Sequence, residues 1–111
     1  MTTARLADFA NEEDRAMVLD TWVEYAEDET AGGEKVQEEV KANLINEMQK
    51  RGTIYAFLAF SEGDGKPAGV SICMEGFSTF NCKSLLNIHD FGVLATHRRK
   101  GISRSAVEVN E

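Results

Sequence analysis

The 111-residue sequence has a single proline, two cysteines, two histidines and one tryptophan. One proline beside 42% apolar residues excludes a proline-rich disordered chain and fits a folded domain. Two cysteines cannot build a disulfide framework. Cys73 and Cys82, with only His89 and His97 to join them, make no zinc or redox spacing. They read as reduced thiols, able to pair only in an oxidising compartment. No apolar run approaches the roughly 20 residues that span a bilayer. The start, Met-Thr-Thr-Ala-Arg, shows no apolar signal-peptide core, so the expectation is a cytoplasmic protein without membrane contact. The length suits one domain over residues 1–111, and there is no internal repeat.

What is present is charge, unevenly spread. The net charge is −7; residues 1–50 carry 13 acidic and 5 basic side chains, residues 51–111 carry 6 and 7. An acidic half repels nucleic acid and attracts cationic small molecules, while the basic residues gather late in the chain. The same pattern also describes an ordinary acidic surface.

Periodicity lays out the elements. A short strand is expected over 3–9. Asn11 then reads as a helix N-cap, with Glu12, Glu13 and Asp14 in the first turn where the helix dipole favours acids. Val18, Trp22, Tyr25 and Ala26 recur at helical spacing, which predicts a helix over 12–27 with Trp22 as a core anchor. Gly32-Gly33 breaks the chain, and Val36, Val40, Leu44 and Met48 predict a second helix over 34–50 closed by Gly52. The apolar run 54–60 reads as a strand buried on both faces, and Glu62-Gly63-Asp64-Gly65-Lys66-Pro67 as the turn to a return strand over 68–74. Residues 75–84 are a loop or strand extension, and 85–93 a fourth strand. Strands buried on both faces require helices on both sides, hence an α/β sandwich.

The stretch 85–103 organises the rest: Leu-Leu-Asn-Ile-His-Asp-Phe-Gly-Val-Leu-Ala-Thr-His-Arg-Arg-Lys-Gly-Ile-Ser. An apolar strand runs into a basic turn ending at a glycine where a helix could start. Turn N–H groups, the helix dipole and the charges of Arg98, Arg99 and Lys100 would together hold a phosphate or pyrophosphate.

This stretch resembles the acetyl-CoA-binding motif of the GNAT N-acetyltransferases, Arg/Gln-x-x-Gly-x-Gly/Ala after the fourth strand. Here it reads Arg98-Arg99-Lys100-Gly101-Ile102-Ser103, with Ser103 where Gly or Ala is usual. The lead-in Phe77-Ser78-Thr79-Phe80 and Leu86-Asn87-Ile88-His89-Asp90-Phe91 is similar to a bacterial, polyamine-type subgroup. The resemblance implies a partial GNAT fold in the order β-α-α-β-β-β-α, with a mixed, mainly antiparallel sheet and helices on both faces. The family's fifth strand, fourth helix and last two strands have no counterpart here. It implies acetyl-CoA as cofactor, held by Arg98, Arg99, Lys100, Gly101, Ile102, Ser103 and Arg104. A backbone N–H near a bulge around Phe91, Gly92 and Val93 would face the thioester oxygen.

The implied reaction is direct attack of a primary amine of a small cationic substrate on that thioester. His89 and Asp90 are candidates for the base, because histidine titrates near neutrality; Glu75 is a weaker one. Asp90 could instead bond turn amides, and His89 pack beside the strand. The family's tyrosine acid has no counterpart. Glu24, Tyr25, Asp28 and Phe77 would line the acceptor site, with Glu27 and Glu29 nearby; the acids could equally be a solvated helix end. A C-terminally truncated chain would leave its fourth strand as a bare edge, which predicts a homodimer or higher self-association. The alternative reading is a non-catalytic GNAT remnant that self-associates through that edge.

Overall fold

The structure is a computed structural model describing residues 2–28, 32–61 and 65–93. Its elements are β1 (Thr2–Leu6), α1 (Glu12–Ala26), α2 (Glu38–Arg51), β2 (Ile54–Ser61), β3 (Pro67–Ser78) and β4 (Lys83–Val93). The strands form one sheet in the order β1-β2-β3-β4, and every described pairing is antiparallel.

Local chemistry sets the helix ends. Asn11 is extended and its side chain accepts the Asp14 N–H at 2.9 Å, which starts α1 as expected. Gly52 ends α2 in the left-handed region at φ 69°, where a side chain would be strained. The second helix begins at Glu38, four residues later than its periodicity suggested. At this entry Glu27 of the α1 C-cap accepts the Val36 N–H on its carboxylate at 2.8 Å and pairs with Lys41 at 3.6 Å. The Val36 bond, with Lys41, holds the Glu27 carboxyl below the usual range. Glu27 thus ties α1 to α2.

Both described helices pack on one face of the sheet. Val18 of α1 and Ile45 and Met48 of α2 meet Ala56 and Leu58 of β2 and Val70 and Ile72 of β3, with Trp22, Leu44 and Ile54 at the margin. The third helix expected from the sequence lies outside the described residues. Among the described residues, no helix is long and apolar enough to cross a membrane.

The first strand is shorter than expected because the chain leaves the sheet after Ala7, whose N–H makes a last bond to Ala56 at 2.8 Å. The exit is pinned by an ion pair the sequence did not announce. Arg5 reaches Asp14 with two nitrogens, at 2.8 and 2.7 Å, and the Asp8 N–H reaches the same carboxylate at 2.8 Å. Of the two readings open for residues 75–84, the strand extension holds for 75–78, and a turn carrying Cys82 at φ 53° returns the chain into β4.

Candidate active site on the helix-covered face

The register of β3 against β4 positions the site. Ile72 pairs with Asp90, but its neighbour Cys73 pairs with Ile88, so His89 is an extra residue on β4. This is a β-bulge, in which two residues of one strand oppose one of the other. Sequence reading placed the bulge around Phe91 to Val93; the structure places it at His89, because pairing is regular from Asp90 to Val93. The bulge turns two adjacent side chains, His89 and Asp90, toward the same recess.

That recess is a cavity of about 340 Å³. Val40, Leu44 and Met48 of α2 form one wall, and Ile54, Ile72 and Met74 of the sheet form another. Trp22 lines it beside His89 and Asp90, and its indole Nε1 donates to Asp90 Oδ2 over a long 3.3 Å. His89 Nε2 stands 3.9 Å from that oxygen. The side chains are 57% exposed for His89 and 32% for Asp90, so both meet solvent while touching the cavity. Glu47 and Arg51 also border it, and they are paired with each other at 3.0 Å. Arg51, helped by Lys50, holds the Glu47 carboxyl below its ordinary range.

Gly92 has a reason different from the one its sequence context offered. It is buried on the helix-side face, and a Cβ there would run into the Tyr25 ring. The glycine exists for Tyr25, not for a bulge. Tyr25 is accordingly a packing ring on β4, one pleat along from Asp90. Gly92→Ala is expected to lower unfolding free energy by ~1–3 kcal/mol through overpacking. Urea denaturation measures it, and an unchanged midpoint would contradict this contact.

The other expected site residues scatter. Glu24 is exposed near the end of α1 and does not line the cavity. Asp28 lies just beyond α1, its carbonyl accepting the Gly33 N–H at 3.0 Å, and is also outside the lining. Phe77 is 62% exposed and pairs with Ser84 on the far face of the sheet, because side chains alternate along β3 from Ile72. Glu75 shares that far face, where it borders a separate recess with Tyr55, Phe57 and Leu86. It cannot serve the cavity that His89 and Asp90 border. Arg98, Arg99, Lys100, Gly101, Ile102, Ser103 and Arg104 lie outside the described residues.

Sequence reasoning missed Trp22 as the partner of Asp90, and the Val40-Leu44-Met48 row as a cavity wall. The four-residue step of that row was visible in the sequence. It fixed the helix face, but not that part of the face stays open.

No protein-family model matches the chain, and no curated protein does. Solved structures do. A GNAT family acetyltransferase from Staphylococcus aureus is 16% identical, with a TM-score of 0.73 over 97% of this chain and 73% of that one. A ribosomal-protein-alanine N-acetyltransferase from Brucella melitensis is 16% identical, with a TM-score of 0.74 over 98% and 68%. Glucosamine-6-phosphate N-acetyltransferase from Arabidopsis thaliana is 18% identical, with a TM-score of 0.62 over 98% and 71%. At such identities the likeness speaks for the backbone and its topology. The chain has the fold of an enzyme family, the GNAT acetyltransferases, over about 70% of the length of these structures.

Proposed function

We propose that the chain is an acetyl-CoA-dependent N-acetyltransferase acting on a primary amine of a small cationic substrate. The observation that carries this reading is the bulge at His89, which sets a carboxylate and an imidazole side by side at the mouth of a cavity. A carboxylate attracts an ammonium, and a neighbouring imidazole can take its proton.

The donor fits what is described of β4. Among the described residues that strand pairs only with β3, and its other edge offers extended backbone beside the site. The basic segment from Arg98 to Arg104 would hold the pyrophosphate, a role that rests on its sequence. When bound, acetyl-CoA supplies a thioester whose carbonyl carbon the neutral amine attacks, with coenzyme A leaving as thiolate. Asp90 binds the incoming ammonium and orients its nitrogen. Trp22, by donating to Asp90, fixes that carboxylate. His89 receives the proton at an imidazole nitrogen. The apolar walls keep water from competing. A backbone N–H of the segment Phe91, Gly92, Val93 is the proposed donor to the oxygen that becomes negative.

Calorimetry with acetyl-CoA tests this directly. Saturable heat is expected from the intact chain, with loss of that heat in the variant combining Arg98→Ala, Arg99→Ala and Lys100→Ala. No heat at saturating acetyl-CoA, or heat unchanged in the variant, would overturn the proposal.

A further inference from the structure

We infer that the acceptor is a primary monoamine carried on an apolar body, an arylalkyl or alkyl amine, and not a polycation. This narrows the amine site proposed above and rests on that acyl-transfer reading.

The charges around the cavity set this limit. Among the described residues, two carboxylates border it, Glu47 and Asp90. Glu47 is already engaged by Arg51 at 3.0 Å and by Lys50 at 3.7 Å. A ligand cation arriving there meets two positive groups and gains little. Among the described residues, Asp90 has an indole N–H and a histidine beside it. The cavity therefore answers one ammonium, at the β4 end.

Its remaining walls are apolar. Leu44 and Met48 on the helix side face Ile72 and Met74 on the sheet side. A second or third ammonium of a polyamine would have to lie against these groups without a counter-charge, which disfavours binding strongly. A hydrocarbon chain or aromatic ring gains there instead, by roughly fourfold in affinity per buried methylene. The volume of about 340 Å³ is enough for a small ring with a short alkyl arm.

Trp22 is the only tryptophan and lines the cavity, so its fluorescence reports occupancy without requiring acetyl transfer. The intact chain is titrated with 2-phenylethylamine, 2-phenylethanol and spermidine, and acetyl transfer to each amine is followed by coenzyme A thiol release. The amine should perturb Trp22 fluorescence at roughly tenfold lower concentration than either competitor, since a charge-assisted bond and an apolar fit act together. Asp90→Asn should erase the preference for the amine over the alcohol. Val40→Asp, at a rim position 39% exposed, adds a carboxylate without touching the core; it should weaken 2-phenylethylamine and strengthen spermidine.

Spermidine binding as tightly as 2-phenylethylamine, or an alcohol binding as tightly as the amine, would overturn the inference. So would a dipeptide amide with an apolar N-terminal residue outcompeting 2-phenylethylamine, which would assign the cavity to a peptide end. Failure of the two readings looks different. A Trp22 response to the apolar amine with no thiol release keeps this ligand class and removes acetyl transfer. Thiol release with spermidine but not with 2-phenylethylamine keeps acetyl transfer and removes this class.

Discussion

Asp90→Ala is expected to lower kcat/KM for amine acetylation by about 100-fold, with the fold intact. The carboxylate is one-third exposed and, among the described residues, has the Trp22 indole and His89 beside it, so its loss leaves no buried charge stranded. Its work is on the substrate, and the kinetic parameters should divide accordingly. Removing the group that holds the ammonium raises KM, while removing the group that takes the proton lowers kcat. Asp90→Ala should therefore act mainly through KM and His89→Ala mainly through kcat. Trp22→Phe keeps the cavity wall but deletes the N–H that orients Asp90, and should cost only about threefold to tenfold, in line with one long neutral donor. Steady-state kinetics on the three variants, with circular dichroism to confirm folding, measures this. Equal activity of wild type and Asp90→Ala would remove the carboxylate from the mechanism.

The largest stability effect is expected far from that site. Asp14→Ala should lower unfolding free energy by about 2–3 kcal/mol. The Asp14 side chain is only 8% exposed and accepts from both guanidinium nitrogens of Arg5 and from the Asp8 N–H. Its removal unties β1 from the start of α1 and leaves the Asp8 N–H without that partner. Arg5 is 46% exposed and can rehydrate, which limits the loss. These bonds hold the Asp14 carboxyl at about 2, well below the ordinary aspartate range, chiefly through the Arg5 side chain and then the Asp8 N–H. A carboxyl depressed in the folded state binds its proton more readily unfolded, so the chain loses stability on acidification. The contribution is full above pH ~4 and disappears as pH falls toward 2, an effect of roughly 1–2 kcal/mol after solvent screening at Arg5. Urea denaturation of wild type and Asp14→Ala across pH 2 to 7 should show the difference between them shrinking below pH ~4. A constant difference would mean that the pair carries no net electrostatic stabilisation.

Much of the fold could be read from short-range patterns. The Asn11 and Gly52 caps act over one helical turn, and the apolar run of β2 is continuous, so each is written where it acts. The parts that were not legible depend on residues distant in the chain. Gly92 is glycine because Tyr25 lies on it, and nothing around position 92 announces an aromatic ring from α1. Asp14 looks like an ordinary first-turn acid until Arg5 is folded against it. Glu27 looks like part of an acidic, amine-reading surface until Val36 and Lys41 close on it.

The candidate site shows the same division. His89 and Asp90 stood out by residue type and by their place on the fourth strand. The shift that brings them to one recess could not be read, because a bulge is a property of the pairing between two strands. Phe77 was lost for the mirror reason: which face it takes follows from the alternation of a strand whose full length was uncertain. The cavity itself draws on α1, α2, three strands and one bulge, and no local window contains them all.

The central claim is that the His89 bulge and the adjoining cavity make an amine acetylation site. Its most direct test is to incubate the 111-residue chain with acetyl-CoA, with and without a primary amine such as 2-phenylethylamine or spermidine, and to follow free coenzyme A thiol. Thiol release should depend on both enzyme and amine and saturate with acetyl-CoA and with amine, and kcat/KM for the amine should fall by about 100-fold in Asp90→Ala. Amine-independent release, or none with any primary amine at saturating acetyl-CoA, would contradict it.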